Sequence, residues 1–314
     1  MSKEIYTLED LRHPEVALAK SAVRPRLGVF GDPISHSLSP QMHNPALAHC
    51  GITAGYVRLH IRPEEFAEAV RLLGPAGFVG GNVTIPHKAA ALASVDEADP
   101  LARRMGAVNT LVVEGDRLAG FSTDGPGFVR ALREEFSVDL RDLRVMVLGA
   151  GGGAGRSIAV QCAIEQCERL VLVNRTAQRA QDLARELAPD FRSAKLEGPV
   201  ARLVAIPWED RALRKELGQV DLIVNATPIG MRRSDPPALS QGMLRAFHLV
   251  YDTVYAGGGT TALTTAAAEA GARAANGLSM LLHQGALSFE IWFNRPAPIE
   301  VMRAGLLAAT RGSD

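Results

Sequence analysis

A short apolar run, Arg144 to Leu148, feeds directly into Gly149-Ala150-Gly151-Gly152-Gly153-Ala154-Gly155, and a helix-forming stretch, Arg156 to Cys167, follows. A glycine turn between a strand and a helix aims backbone N–H groups and a helix N-terminus at one point, which suits a pyrophosphate. Alone, the turn reads equally well as a tight strand-to-helix connection. Its continuation decides the matter: a strand at Arg169–Val173, a helix at Ala177–Leu187, and strands at Leu203–Ile206, Asp221–Asn225 and Leu249–Asp252. That alternation predicts a mostly parallel sheet with helices on both faces, an α/β unit of the Rossmann type. Gly149, Gly151 and Ala154 take the three fingerprint positions, and alanine is tolerated in the third.

The end of the second strand discriminates between dinucleotides. An acidic residue there would accept from the adenosine ribose hydroxyls, but the chain has Asn174-Arg175-Thr176, with Arg179 one helical turn on. Two guanidiniums and a hydroxyl attract a 2′-phosphate through charge-assisted bonds. The expected cofactor is therefore NADP, held by Gly149 to Ala154 and by Asn174, Arg175, Thr176 and Arg179.

At 314 residues the chain exceeds one ordinary core and suits two domains of about 150 residues each. Lys+Arg and Asp+Glu both number 34, so the balance points to no nucleic-acid or membrane partner. Cys50, Cys162 and Cys167 match neither a disulfide framework nor a metal pattern. His36, His43 and His87 also fit no common metal spacing, and no metal is expected. The charged residues before Glu15 do not resemble a secretory signal, and no apolar run approaches the roughly 20 residues that span a bilayer. The expected compartment is the cytoplasm. The expected oligomer is a monomer or homodimer.

The first half carries its chemistry in polar knots. Residues 1 to about 25 read as a polar leader. After it come a strand at Arg26–Gly31, a helix opened by Ser39-Pro40 and stopped at Gly51, a strand at Tyr56–Ile61, a helix at Pro63–Leu73 and a strand at Phe78–Ile85. A hairpin spans Asn109 to Phe121, and a helix is expected at Phe128–Phe136. Ser37 and Ser39, at i and i+2 beside a helix start, form a neutral cradle for a carboxylate. Asn82-Val83-Thr84-Ile85-Pro86-His87-Lys88, Val108-Asn109-Thr110 and Ser122-Thr123-Asp124 add one lysine, one aspartate and several neutral donors. Oxidising a secondary alcohol needs a group that takes the hydroxyl proton as hydride leaves, and a lysine facing an aspartate can do so.

These motifs, in this order, together with Gly149-Ala150-Gly151-Gly152, Asn174-Arg175-Thr176 and the late Gln284, closely resemble shikimate dehydrogenase and its quinate/shikimate dehydrogenase relatives. The likeness runs from about Arg26 to the last helices. It implies an N-terminal substrate domain, 1–124 plus 278–314, and a C-terminal NADP domain, 125–277, flanking a cleft. It further implies that Lys88 and Asp124 are the catalytic pair and that Ser37, Ser39 and Tyr255 hold a carboxylate. Thr84, Asn109 and Gln284, with Asp124, would bind ring hydroxyls. Thr227, in the loop Asn225-Ala226-Thr227-Pro228-Ile229-Gly230-Met231, would lie on the nicotinamide side, and Gly277 would also bind the cofactor. The implied reaction is NADP-dependent reduction of 3-dehydroshikimate to shikimate, with quinate or an aminated analogue as the alternative substrate and NAD as the alternative cofactor. Two departures stand out: Ser122 replaces the usual asparagine, and Gly155 occupies a place where relatives carry arginine, with Arg156 one step later.

Overall fold

The computed structural model describes residues 3–18, 23–191, 201–232, 234–255 and 259–311. The chain divides into two compact units, Met1–Gly127 with Leu281–Ala309, and a second formed mainly by Phe128–Met280.

In the first unit the strands are β1 (Ile5–Tyr6), β2 (Pro25–Gly31), β3 (Gly55–His60), β4 (Gly80–Val83), β5 (Glu97–Ala98), β6 (Thr110–Glu114) and β7 (Arg117–Phe121). They form one mixed sheet in the order β1-β3-β2-β4-β6-β7-β5. The β6–β7 hairpin runs antiparallel, with Gly115 at φ 62 supplying the turn conformation that glycine adopts without steric cost. One face packs on Phe66 and Val70 of the helix Phe66–Arg71 and on Leu73 just beyond it. The other packs on Met42, Ala46 and Leu47 and on Leu282, Ala286 and Phe289 of the helix Leu278–Phe293.

The expected polar leader is instead structured over its described residues. β1 pairs in parallel with β3, and the helix Leu8–Arg12 follows. The reason is a small apolar set: Tyr6, Leu8, Leu11 and Leu18 are all at most 6% exposed and join the core. Arg12 fixes the outer side by two bonds to the Glu68 carboxylate, 2.8 and 2.9 Å.

In the second unit β8 (Arg144–Leu148), β9 (Arg169–Asn174), β10 (Leu203–Pro207), β11 (Leu222–Asn225), β12 (Leu249–Asp252) and β13 (Arg273–Ala275) are parallel throughout. Their order, β10-β9-β8-β11-β12-β13, places the topological switch between β8 and β11. Ligands of such sheets bind outside the carboxyl ends of the strands at that point. Val145 to Leu148 and Leu170 to Val173 are fully buried, which explains why they read as continuous apolar runs rather than alternating ones.

The helix expected from Phe128 begins four residues earlier, at Asp124. Gly125-Pro126-Gly127 is its first turn, where proline's missing N–H costs nothing. Gly127 has a packing role as well, since a Cβ there would lie 2.8 Å from the Gln284 backbone and side chain. No described helix is long and apolar enough to cross a membrane.

Candidate active site

Strand β4 ends in Asn82 and Val83, and Thr84 is anchored through its N–H to the Phe30 carbonyl at 2.9 Å. The chain then turns so that Lys88 opens the helix Lys88–Ser94. The Lys88 ammonium donates to Asp124 Oδ2 at 2.5 Å, with the two side chains 15% and 5% exposed. Val108 N–H bonds to the Lys88 carbonyl at 3.0 Å, which ties the lysine's backbone to the segment carrying Asn109.

Asn109 is the hub. Its amide donates to Thr123 Oγ1 at 2.8 Å, to Asp124 Oδ1 at 3.0 Å and to Gln284 Oε1 at 3.1 Å. Its oxygen accepts from Thr123 N–H at 2.8 Å and from Thr110 Oγ1 at 3.1 Å. Three acceptors compete for two amide hydrogens, so one contact is shared. Thus Lys88, Asn109, Asp124 and Gln284 are brought together, and the half-buried Thr84 lies four residues before the lysine.

The serine cradle is a second feature of the same unit. Ser37 Oγ donates to Ser39 Oγ at 3.2 Å, and Ser39 is buried. The helix starts at Ser39 itself, with Leu38 in the cap position and no side-chain capping bond. Neither serine is the cap residue, although Ser37 Oγ accepts from the N–H of Ser39, the first helical residue, at 3.4 Å. Arg58, buried on β3, donates to the Ser37 carbonyl through Nε and Nη2 at 3.0 and 2.7 Å.

In the other unit the glycine turn is shaped by close approach. Gly149 (φ 85) and Gly151 (φ 93) adopt a conformation that side chains rarely take. A Cβ on Gly149 would meet Thr227 Cγ2 at 2.7 Å, and one on Gly151 would meet the Arg179 carbonyl at 3.1 Å. The helix begins at Gly153, with Gly152 as its cap. The third fingerprint position falls on Gly155, not Ala154: a Cβ on Gly155 would lie 2.3 Å from the Gly149 carbonyl, whereas Ala154 already carries one. Close helix-to-turn packing, the job of the last glycine, is thus done one residue later than its spacing suggests. Ala150 is buried and its carbonyl accepts from Asn174 Nδ2 at 2.5 Å, so the asparagine braces the turn. Thr176, Arg175 and Arg179 are exposed, and neither arginine has an acidic partner among the described residues. Arg156, one step past Gly155, is engaged by Glu186 at 2.6 Å.

After β11, Asn225 organises the next loop: its oxygen accepts from Thr227 N–H and Oγ1 at 3.1 and 2.7 Å. Tyr255 follows β12 and is half-buried, and residues 256–258 lie outside the described residues. Gly277 packs on Thr253, where a Cβ would lie 2.1 Å from the carbonyl oxygen.

Several partners carry little signal in the sequence. Ser288 accepts from Asn82 Nδ2 at 2.9 Å and meets Thr110 Oγ1 at 2.8 Å, one helical turn after Gln284. The i, i+4 spacing on one helix is the available clue. Ser122 is buried and donates to Met105 Sδ at 3.1 Å, so it serves packing at that position. His43 is fully buried, stacked 4.5 Å from Tyr56, and desolvation pushes its pKa down to about 3. His87 stacks on Phe66 at 4.6 Å and bonds the Ile61 carbonyl at 2.7 Å.

Family models match three stretches: the shikimate dehydrogenase substrate binding domain over 29–111, shikimate / quinate 5-dehydrogenase over 131–204, and the shikimate 5'-dehydrogenase C-terminal domain over 277–307. A shikimate dehydrogenase (NADP(+)) of Symbiobacterium thermophilum is 42% identical over 288 residues, 91% of this chain and 95% of its own. The chain belongs to the shikimate dehydrogenase family. Among solved members, a shikimate dehydrogenase in complex with NADP+ shares 35% identity at a TM-score of 0.81, covering 90% of this chain and 95% of its own. The Thermus thermophilus shikimate 5-dehydrogenase, in complex with NADP(H) and shikimate, shares 34% at a TM-score of 0.78, covering 91% and 99%.

Proposed function

We propose that this chain catalyses the reversible, NADP-dependent reduction of 3-dehydroshikimate to shikimate. The observation that carries the reading is the Lys88–Asp124–Asn109 cluster, a lysine and a carboxylate in contact at 2.5 Å and oriented by one amide. NADPH, when bound, supplies the hydride. The cofactor fits the residues present: the turn at Gly149, Gly151 and Gly155 has no room for side chains, no carboxylate ends β9, and Arg175 and Arg179 stand exposed for a 2′-phosphate. Gly152, Gly153 and Ala154 present the helix N-terminus, with Asn174, Thr176, Thr227 and Gly277 completing the cofactor surface.

Lys88 gives a proton to the ketone oxygen in reduction and takes it back in oxidation. Asp124 keeps the ammonium in place and accepts from a neighbouring ring hydroxyl. Thr84, Asn109 and Gln284 bind ring hydroxyls, and Ser37, Ser39 and Tyr255 take the carboxylate. Asn109 accommodates the substrate by giving up its longest contact, to Gln284. Residues 1–124 with 278–314 serve substrate binding and 125–277 serve the cofactor. The reaction belongs in the cytoplasm, on a small molecule rather than nucleic acid, in a monomer or homodimer.

Steady-state nicotinamide absorbance with shikimate and quinate, each with NADP+ and with NAD+, tests the reading. Turnover with shikimate and NADP+ that disappears in Lys88→Ala, while NADPH binding persists, supports it. Preference for quinate or NAD+ overturns the assigned specificity, and no turnover with any pair overturns the activity.

A further inference from the structure

Asp252 at the end of β12 is completely buried, and no cation pairs with it among the described residues. Burying a carboxylate in this way is costly unless donors surround it. Three do. Oδ1 accepts from Asn225 Nδ2 at 2.8 Å and from Val254 N–H at 3.1 Å, and Oδ2 accepts from Thr261 Oγ1 at 2.6 Å. Desolvation nevertheless raises its pKa.

Each donor belongs to a different segment. Asn225 Nδ2 also donates to the Ile229 carbonyl at 3.0 Å, while its oxygen holds Thr227, whose hydroxyl in turn accepts from Ile229 N–H at 3.1 Å. This loop abuts the glycine turn, because Thr227 Cγ2 and the Ala226 carbonyl fill the space beside Gly149. Val254 N–H leads into Tyr255, and the Val254 carbonyl accepts from Gly277 N–H at 3.1 Å. Thr261 caps the helix Ala262–Glu269. One carboxylate therefore sets the Asn225–Gly230 loop, the Thr253–Tyr255 segment and a helix start.

We infer that Asp252 is a positioning residue for the reaction, holding through Asn225 the loop that faces the nicotinamide. The inference rests on the dehydrogenase reading above. A carboxylate is suited to this place because Oδ1 takes two donors at once while Oδ2 is left for the third. An apolar residue would release all three segments together.

The test uses the full-length enzyme, with kcat and both KM values from nicotinamide absorbance, NADPH affinity from its fluorescence, and melting temperature. Asp252→Ala should lower kcat by about tenfold or more and weaken NADPH several-fold, since misplacing a substrate-orienting group by about 1 Å can cost 10²-fold. Asp252→Asn retains an oxygen for Asn225 and Val254 and should recover most of that loss. Asn225→Ala should reproduce the kcat loss, and the double variant should show less than the product of the two single effects. Thr261→Val removes the helix cap and the donor to Asp252 Oδ2 but leaves Asn225 and Val254 bonded to Oδ1, so it should lower melting temperature while leaving kcat within twofold. If Thr261→Val reproduces the kcat loss, the role is capping and the inference fails. It also fails if Asn225→Ala leaves kcat and NADPH affinity unchanged, a result that stands even if Asp252→Ala does not fold. A wild-type enzyme without shikimate turnover would sink the dehydrogenase reading separately, because the NADPH-binding comparison needs no substrate.

Discussion

The cluster proposed to be catalytic and the rim proposed to take the cofactor are built in opposite ways. Around Asn109 the polar groups already bond one another, and Asn109 and Asp124 are 2% and 3% exposed. Along Arg175 and Arg179 the groups are exposed, and no acid among the described residues engages them. On the proposed reading the first region is organised before substrate arrives, which would spare reorganisation at the moment of proton transfer. The second leaves its charge exposed to water and, on the same reading, would take its geometry from the ligand. A dense site should fail in rate when altered, and an open one in affinity.

Lys88→Met breaks the contrast most severely. It should lower kcat about 10³–10⁴-fold, with NADPH affinity within twofold, as checked by turnover and fluorescence titration. Removing Arg175 and Arg179 together should raise the NADP+ KM about 10–100-fold, as expected for charge-assisted bonds of roughly 1.5–3 kcal/mol. NAD+ kinetics should hardly change, and the difference should shrink with added salt. Equal losses for both cofactors would remove these arginines from the phosphate site.

Two experiments address the frame around the cluster. Deleting residues 1–18 exposes the pocket vacated by Tyr6, Leu8 and Leu11, each worth roughly 2 kcal/mol of gross burial. That gain is offset by the ordering of the segment, so a net loss of about 1–3 kcal/mol is expected. The Trp292 fluorescence midpoint in urea measures it in a Trp208→Phe background, because Trp292 lies in the first unit and Trp208 in the second. His43 predicts an acid-sensitive core. Its folded pKa of about 3 lies below the ordinary 6.5, so unfolding takes up a proton at acid pH. Its contribution is complete above pH 6.5 and declines as pH falls towards 3, by at most about 1.4 kcal/mol per pH unit. In His43→Phe that part of the slope should vanish. The smallest effect belongs to Ser122→Asn, expected to change kcat/KM by less than about threefold, since Ser122 faces Met105. A larger change would return that position to substrate recognition.

The parallel sheet is legible in the sequence because both faces of β8 and β9 are buried, which leaves uninterrupted apolar runs next to a glycine turn. The polar knots are legible because hydrogen-bonding residues cluster where strands end. The leader hides its structure because four separated apolar residues among charges give weak periodicity, although a sheet edge needs no more. The role of Gly155 is hidden because motif spacing cannot show which backbone atoms a helix approaches. Ser288 and Asp252 are invisible for a related reason: their partners are distant in sequence, and only the folded chain shows that Asn82 and Ser288 bond across 206 residues.

That last separation has a consequence during synthesis. Strands β2 to β7 leave the ribosome early, but Gln284, Ser288 and Trp292, which bond Asn109, Asn82 and the Leu111 carbonyl, are made 175 to 206 residues after their partners. The second unit, contiguous from Phe128 to Met280, has all its strands before then. Domains tend to complete in the order in which their parts emerge, so the unit begun first is the one finished last. A nascent chain would carry Lys88 and Asp124 without the helix that completes the cluster until Leu278–Phe293 has been made.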